Sequence, residues 1–131
     1  MKIILIAGDS KTGKSTTVSK NVRDWLLGNG AEEKEVTLHG RIEYEGVFQY
    51  KDKKIALQSR GDAYYLLVFA IVKYTHLDVL VLIGNTSVVA IAKLVEQINA
   101  NKDHHVFVKK AATNNDNSDV CDKITNEIKK I

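Results

Sequence analysis

The 131-residue sequence has no proline and a single cysteine, Cys121. One thiol provides no disulfide framework, and this favours a reducing compartment. The sequence has no proline-rich or low-complexity tract that would act as a linker, so we expect one domain spanning residues 1–131. A chain of this length buries an ordinary hydrophobic core without disulfides to hold it.

Long apolar runs are also missing. The longest, 63–72, is far below the ~18 residues that a membrane-spanning helix needs. The apolar run 3–7 is shorter than the ~7–15 residues of a signal-peptide core, and a buried strand explains it better. We therefore expect a cytoplasmic protein with no membrane partner.

The basic excess is small and dispersed. The chain has 19 Lys and Arg against 16 Asp and Glu, a formal net charge of +3. No segment contains a block of basic residues of the kind that binds nucleic acid. The charge therefore favours a solvated surface over a nucleic-acid interface, while the oligomeric state and a protein partner stay open.

Strand-like and helix-like segments alternate along the chain. The run 3–7 is typical of a strand buried on both faces. Further strands are predicted at 36–39, in a hairpin across 44–59, at 78–85 and at 104–110, and helices at 18–26, 63–74, 88–98 and 120–128. The alternation predicts an α/β fold. We expect a three-layer sandwich in which a mostly parallel sheet of about five strands, one of them antiparallel, is flanked by helices.

Two helix starts are predicted from capping residues. The stretch 63–74 fits either a strand or a buried helix, and its length together with Asp62 as an N-cap favours the helix. Ser118 is the corresponding cap for the last helix.

The stretch AGDSKTGKSTT follows the first apolar run and contains Gly8-x-x-x-x-Gly13-Lys14-Ser15. Glycines let the backbone N–H groups turn towards phosphate oxygens, and the following helix adds free N–H groups. Lys14 can reach the β- and γ-phosphates, the Ser15 hydroxyl can bind Mg²⁺, and Thr16 can contact the α-phosphate. The residues expected to bind the nucleotide here are Gly8, Asp9, Ser10, Lys11, Thr12, Gly13, Lys14, Ser15 and Thr16.

These motifs, GDSKTGKST after IILIA, resemble the phosphate-loop (Walker A) NTPases over residues 2–27. The resemblance implies a nucleoside triphosphate bound with Mg²⁺ as cofactors. It does not define the activity, since ATPases, GTPases and many kinases share the loop. The guanine-reading Asn-Lys-x-Asp is missing, so ATP is the default and GTP the alternative. An Arg-rich lid of the kind that closes over nucleotide-kinase substrates is missing as well.

The residues expected to complete the Mg²⁺ site outside the loop match the resemblance less well. Such enzymes place an Asp at the end of another buried strand, and no predicted strand ends in that way. In the GTPase branch this region reads Asp-x-x-Gly. Aligning that Gly with Gly61 puts Gln58 at the position of the Asp and Asp62 at the position of the water-positioning Gln. The resemblance then implies a Gly61 contact to the γ-phosphate. Asp62 is the best remaining carboxylate to bind the metal, orient water or act as a base, and the charge of Arg60 makes it a candidate clamp for the γ-phosphate. A helix-capping Asp62 and a solvated Arg60 are the alternative.

Other candidates have simpler interpretations. Thr37 lies where GTPases carry a Mg²⁺-binding Thr, but it fits an ordinary strand residue better. Glu43 and Glu45 lie two residues apart in one strand, a spacing typical of side chains on the solvated face of a sheet. Asn85 ends a buried strand at the edge where such folds bind ligands, although its neighbours Thr86 and Ser87 fit caps of the next helix better. Cys121 fits a packing role in the last helix.

Three functions remain open at this point. The first is Mg²⁺-dependent nucleotide binding with slow hydrolysis or a switch role, in which Lys14, Asp62 and Arg60 are the catalytic candidates and Ser15 and Asp62 the metal ligands. The second is a small phosphotransferase acting on a nucleotide or another small acceptor. The third is a binding module that does not hydrolyse its nucleotide.

Overall fold

The computed structural model describes residues 1–39 and 43–131. These residues form an α/β fold in which a six-stranded mixed sheet is flanked by four helices. The strands are β1 (Lys2–Gly8), β2 (Glu32–His39), β3 (Glu43–Tyr50), β4 (Lys53–Gln58), β5 (Val79–Asn85) and β6 (His105–Val108). Helix α1 runs without a break through an α-helical turn (Lys14–Thr16), a π-helical segment (Thr17–Val22) and a second α-helical segment (Arg23–Gly28). The others are α2 (Tyr64–Lys73), α3 (Val89–Ala100) and α4 (Asn114–Lys129).

The sheet has the strand order β2-β3-β4-β5-β1-β6. Strands β4, β5, β1 and β6 are parallel, whereas β2/β3 and β3/β4 are antiparallel pairs. The α/β prediction is confirmed, and among the described strands β3 is the expected antiparallel one, which pairs on both sides and so gives two antiparallel pairs. The sheet has six strands rather than about five, because β2, predicted at 36–39, joins it as an edge strand that already begins at Glu32. As an edge strand with mostly exposed side chains, β2 tolerates charged residues that carry no apolar alternation.

Two apolar layers fill the space between the sheet and its helices. Ile4 and Ile6 of β1 face the layer under α1 and α4, while Ile3 and Leu5 face the layer under α2 and α3. Each of these residues is nearly or fully buried. The continuous apolar run of β1 is therefore explained by a strand covered on both faces.

The stretch 63–74, which fitted either a strand or a helix, forms helix α2. Its N-cap is Ala63, which makes no side-chain capping bond, so the prediction that Asp62 caps the helix is wrong. The cap expected at Ser118 is wrong as well. Helix α4 begins at Asn114 with Thr113 as its N-cap, five residues before Ser118, and the Asp116 N–H donates to the Thr113 side chain. No helix in the described ranges has the length and apolar character needed to cross a bilayer.

The parallel strands bring the candidate residues to one edge of the sheet. The carboxyl ends of β4, β5, β1 and β6 meet there, because parallel strands end on the same side. Gly8 at the end of β1 pairs with Asn85 at the end of β5. Strand β5 lies between β1 and β4, so the segment after β4 reaches the loop after β1 across the end of β5.

Candidate functional site

The loop between β1 and α1 holds two residues in the left-handed region of backbone space. Gly13 has φ 81° and Lys11 has φ 62°. A side chain at Gly13 would be strained at this φ, and its Cβ would lie 2.8 Å from Asn117 Oδ1. Lys11 adopts its conformation at a cost of about 1–2 kcal/mol, the kind of local strain that is common at binding loops.

Gly8 is needed for close packing between β1 and the chain beyond β6. A Cβ at this position would lie only 2.5 Å from the Lys109 carbonyl oxygen. Lys109 N–H in turn donates to Ala7 O at 2.8 Å, which continues the β1/β6 pairing past the end of β6. The two motif glycines thus let β6 and α4 approach the base of the loop.

The Lys14 side chain lies folded inside the loop. It is buried, and its Nζ donates to Asp9 O at 2.5 Å and to Thr12 Oγ1 at 3.2 Å. Burial lowers the pKa of the Lys14 ammonium below its ordinary value, and nearby Lys109 lowers it further, while Asp62 and Asp9 partly offset the shift. An anion beside this ammonium would favour the charged form.

The Ser15 hydroxyl contacts the end of β4. Its Oγ donates to the backbone carbonyl of Ser59 at 2.9 Å. Ser59 is itself fastened to β3, because the Tyr44 N–H donates to Ser59 Oγ at 2.7 Å and the Ser59 N–H donates to Tyr44 O at 2.8 Å. Ser59 therefore stands beside Ser15 at the end of β4, where the phosphate-loop resemblance leads one to expect an Asp.

The side chain of Gln58 does not reach the loop. Its Nε2 donates to the carbonyl oxygens of Arg60 at 3.2 Å and Leu66 at 3.0 Å, towards α2. Successive side chains along a strand point to opposite faces, so a register error of one residue exchanges the two faces. Alignment on Gly61 singled out Gln58, whereas the residue beside Ser15 is Ser59.

Asp62 and the loop share one cavity of about 330 Å³. The cavity is lined by residues 10–16 together with Asp62 and Ile83. Asp62 is exposed, and its carboxylate is close enough to raise the pKa of Lys14. The structure thus brings together Asp62 and seven of the nine loop residues that the sequence singled out, while Gly8 and Asp9 support the loop from outside the cavity lining.

Gly61 holds Asp62 in place. Gly61 is buried, and its carbonyl accepts from the Asn85 N–H at 2.9 Å. A Cβ on Gly61 would lie 2.4 Å from Ile83 O, so only glycine lets this segment pass over the end of β5. Gly61 anchors the segment and is not part of the cavity lining.

The Arg60 side chain lies away from the loop cavity. Its Nε donates to Glu43 Oε2 at 3.0 Å, and its Nη1 lies 3.3 Å from His39 Nδ1. These contacts place the guanidinium against the outer strands rather than beside Lys14. Arg60 is neither freely solvated nor positioned as a phosphate clamp in this arrangement.

The prediction that Glu45 lies on a solvated face of the sheet is wrong. Its side chain is only 9% exposed, because the face of β3 that carries it is covered by α2. Three side chains donate to the carboxylate: Lys73 at 2.8 Å, His39 at 3.1 Å, and Tyr74. Burial by itself raises the pKa of Glu45, but these hydrogen bonds outweigh it and hold the pKa below the ordinary value.

Lys109 is a feature of the site that the sequence interpretation missed. Its side chain is fully buried, and Nζ donates to Ala111 O at 2.5 Å and to Asp116 Oδ2 at 2.8 Å. The hydrogen bond from Lys109 holds the pKa of the Asp116 carboxyl below its ordinary value. Lys109 Cε is also among the atoms nearest to Gly13. The sequence signal was a Lys directly after an apolar strand, seven residues before an Asp near a helix start.

The remaining candidates have structural roles or lie elsewhere. Asn85 Oδ1 accepts from the Ser87 N–H at 3.0 Å, a hydrogen bond within the turn after β5. The N-cap of α3 is Val88, so the caps expected at Thr86 and Ser87 are wrong. Cys121 is buried, and burial raises the pKa of its thiol to about 11, in keeping with a packing role. Thr37 is exposed in the edge strand β2. No protein-family model, curated protein or solved structure matches this chain.

Proposed function

We propose that this protein is a phosphate-loop protein that binds a nucleoside triphosphate with Mg²⁺, with ATP as the default and GTP as the alternative, and that it hydrolyses the nucleotide slowly or uses it as a switch. The observation that carries the proposal is the single cavity in which the loop, Lys14, Ser15 and Asp62 meet. It lies at the carboxyl ends of parallel strands, where open α/β sheets bind ligands.

The residues present fit a magnesium nucleotide. Mg²⁺ is usually held by one or two protein oxygens together with phosphate oxygens and water, so it needs no cage of protein ligands. The Ser15 hydroxyl and the Asp62 carboxylate are two such oxygens on the walls of the same cavity. Bound Mg²⁺ would neutralise charge on the phosphates.

The chain's own groups would then divide the binding between them. The Lys14 ammonium would exchange its contacts with Asp9 O and Thr12 Oγ1 for phosphate oxygens, and the anion would offset the lowering of its pKa by favouring the charged form. The loop N–H groups and the start of α1 would hold the remaining oxygens, with Thr16 at the α-phosphate.

Slow turnover follows from the groups around the γ-phosphate position. Asp62 is the carboxylate on the cavity wall that can orient a water molecule, while Ser59 contributes a backbone carbonyl where a carboxylate is expected. The Arg60 guanidinium is paired with Glu43 and adds no positive charge at the γ-phosphate position. The same features are compatible with a module that binds without hydrolysis.

A second candidate function, phosphate transfer to a small acceptor, is favoured by a neighbouring cavity of about 370 Å³. Its lining consists of Ser15, Thr16, Ser19, Lys20, Arg23, Leu38, Glu43 and Tyr44. Arg23 and Glu43 are already paired with Glu33 and Arg60, respectively, so the cavity fits a small polar acceptor beside the γ-phosphate position. Increased ADP formation on adding an acceptor would support this function over simple hydrolysis.

Titration calorimetry with nonhydrolysable ATP and GTP analogues, with and without Mg²⁺, tests the proposal. We expect Mg²⁺-dependent binding that Lys14→Ala abolishes. The matched control is Lys123→Ala, which removes an exposed Lys of α4 and should leave the affinity unchanged. If the folded wild-type protein binds neither analogue, the proposed function is wrong. Phosphate release that Lys14→Ala removes would separate hydrolysis from binding alone.

A further inference from the structure

Gln58, the last residue of β4, is a polar side chain buried beside α2. The residue is only 4% exposed, and its Nε2 donates to the carbonyl oxygens of Arg60 and Leu66. These two acceptors fix the orientation of the amide, because only its NH₂ end can face two carbonyl oxygens. The Oε1 end therefore points away from both carbonyls, and it accepts no hydrogen bond from the residues that the structure describes.

A cavity of about 270 Å³ lies beside this side chain, and we call it the Gln58 cavity. Its deepest lining residues are Gln58, Glu45 and Ala70, which are all buried. Within the described ranges, no buried side-chain nitrogen or oxygen lacks a hydrogen-bond partner. Gln58 Oε1 therefore keeps accessible surface, and the cavity that the side chain lines provides it.

Helix α2 forms an apolar wall of the Gln58 cavity. This wall consists of Tyr65, Leu66, Phe69 and Ala70. Tyr65 and Phe69 are 58% and 69% exposed, and they contact each other edge to face with ring centroids 6.2 Å apart. Aromatic rings attract a second ring in offset-stacked or edge-to-face geometry. The wall therefore favours a planar ligand over an aliphatic one of the same size.

The charges in the lining of the Gln58 cavity are already paired. Lys73 Nζ lies 2.8 Å from Glu45 Oε1, and Arg60 Nε lies 3.0 Å from Glu43 Oε2. The Glu45 carboxylate also accepts two further hydrogen bonds. An ionic ligand would have to compete with one of these pairs, whereas a neutral ligand leaves them in place. Gln58 Oε1 is then the deep acceptor that a ligand can reach.

We propose that the Gln58 cavity is a second binding site, which takes a neutral, planar, single-ring molecule that donates an N–H or O–H to Gln58 Oε1. Its volume lies just below the range of about 300–1,000 Å³ for drug-sized ligands, so it fits one ring with a short substituent. A ligand without a donor is disfavoured, because it leaves the buried amide oxygen without a hydrogen bond. The Gln58 cavity shares no lining residue with the loop cavity, so the inference goes beyond the proposed function and does not depend on nucleotide binding.

NMR titration of ¹⁵N-labelled protein with benzamide tests this site. Benzamide is neutral and has an N–H donor, and acetophenone has the same shape with a methyl group in place of the NH₂. We expect saturable shifts of the Gln58 side-chain amide signal, with a dissociation constant in the millimolar range because the ligand is small. Acetophenone should bind about tenfold more weakly. If benzamide gives no saturable shift at Gln58, or if the two compounds bind equally, the proposal is wrong.

Three substitutions separate this cavity from binding elsewhere on the protein. Phe69→Ser removes an exposed ring of the wall and should weaken benzamide binding about threefold or more. Leu38→Ser is the matched control, because Leu38 is 68% exposed but lies on β2, and it should leave the affinity unchanged. Gln58→Leu has no acceptor and should bind benzamide and acetophenone equally, a ratio that does not depend on the overall loss of affinity.

The outcomes of these substitutions decide the proposal even if Gln58→Leu does not fold. In that case the comparison of the two compounds on the wild type and on Phe69→Ser remains. Benzamide binding that Phe69→Ser leaves unchanged contradicts the proposed wall. A folded Gln58→Leu protein that still prefers benzamide over acetophenone contradicts the role of Gln58 Oε1.

Discussion

Replacing Lys109 with Met should destabilise the fold and loosen the loop between β1 and α1. The substitution keeps most of the side-chain volume but removes the ammonium that bonds Ala111 O and Asp116 Oδ2. Each lost charge-assisted bond from a buried group is worth about 1.5–3 kcal/mol. Asp116 keeps 29% exposure and regains part of this from water. We therefore expect a loss of about 2–3 kcal/mol in the free energy of unfolding, or roughly 6–12 °C in Tm.

Urea denaturation of Lys109→Met against wild type measures this loss. The matched control is Lys110→Met, which removes the exposed neighbouring Lys and should stay within about 0.5 kcal/mol of wild type. Because Gly13 lies against Lys109, we also expect weaker nucleotide binding in Lys109→Met than its stability loss explains. Equal unfolding free energies for wild type and Lys109→Met would refute the structural role of Lys109.

The pH dependence of the same pair provides an independent check. The pKa of Asp116 is lower in the folded chain than in the unfolded one, so its contribution to stability is fully present above the unfolded pKa. That contribution is lost as the pH falls through the folded pKa. The stability gap between wild type and Lys109→Met should therefore be widest near neutral pH and narrow in acid, below about pH 4. A gap that stays constant down to low pH would show that Asp116 does not take part.

Three further substitutions test the remaining site geometry. Gly13→Ala should cost at least about 1–2 kcal/mol in thermal unfolding, since φ 81° disfavours a side chain and its Cβ would contact Asn117 Oδ1; an unchanged Tm would mean that the loop adopts another conformation. Glu45→Gln should cost about 1–3 kcal/mol in urea denaturation, because the amide cannot accept all three donors of the buried carboxylate; a neutral result would show that the cluster is dispensable. Asp62→Asn should weaken Mg²⁺-dependent binding of the ATP analogue while leaving binding without Mg²⁺ unchanged; equal losses in both titrations would remove Asp62 from the metal site.

The part of the site formed by the loop between β1 and α1 could be predicted from the local sequence. A buried strand, a glycine-containing loop and an amphipathic helix follow one another within residues 2–28, and each is specified by neighbouring residues. The same local reasoning found Asp62, because it lies only two residues before α2 begins at Tyr64. Of the two roles left open for Asp62, the capping role is wrong, since Ala63 takes the cap position and Asp62 lines the loop cavity.

Contacts across the sheet were not readable in this way. Ser59 and Lys109 reach the loop over 44 and 96 residues of chain from Ser15 and Gly13, respectively. Which residue at the end of β4 faces Ser15 depends on the strand register, because a shift by one residue turns each side chain to the other face of the sheet. The buried position of Glu45 depends on α2 packing over β3, which no period in the strand itself indicates.

By itself the sequence determined the α/β alternation, the both-sided burial of β1 and the glycine-containing loop between β1 and α1, because apolar period, glycine and helix signals act over a few residues. Tertiary structure decided the insertion of β5 between β1 and β4, the carbonyl of Ser59 beside Ser15, and the burial of Lys109 under the loop. Those features depend on which strands become neighbours and in what register. Strand order and register are set by the free energy of the whole sheet, so the sequence of a single segment does not indicate them.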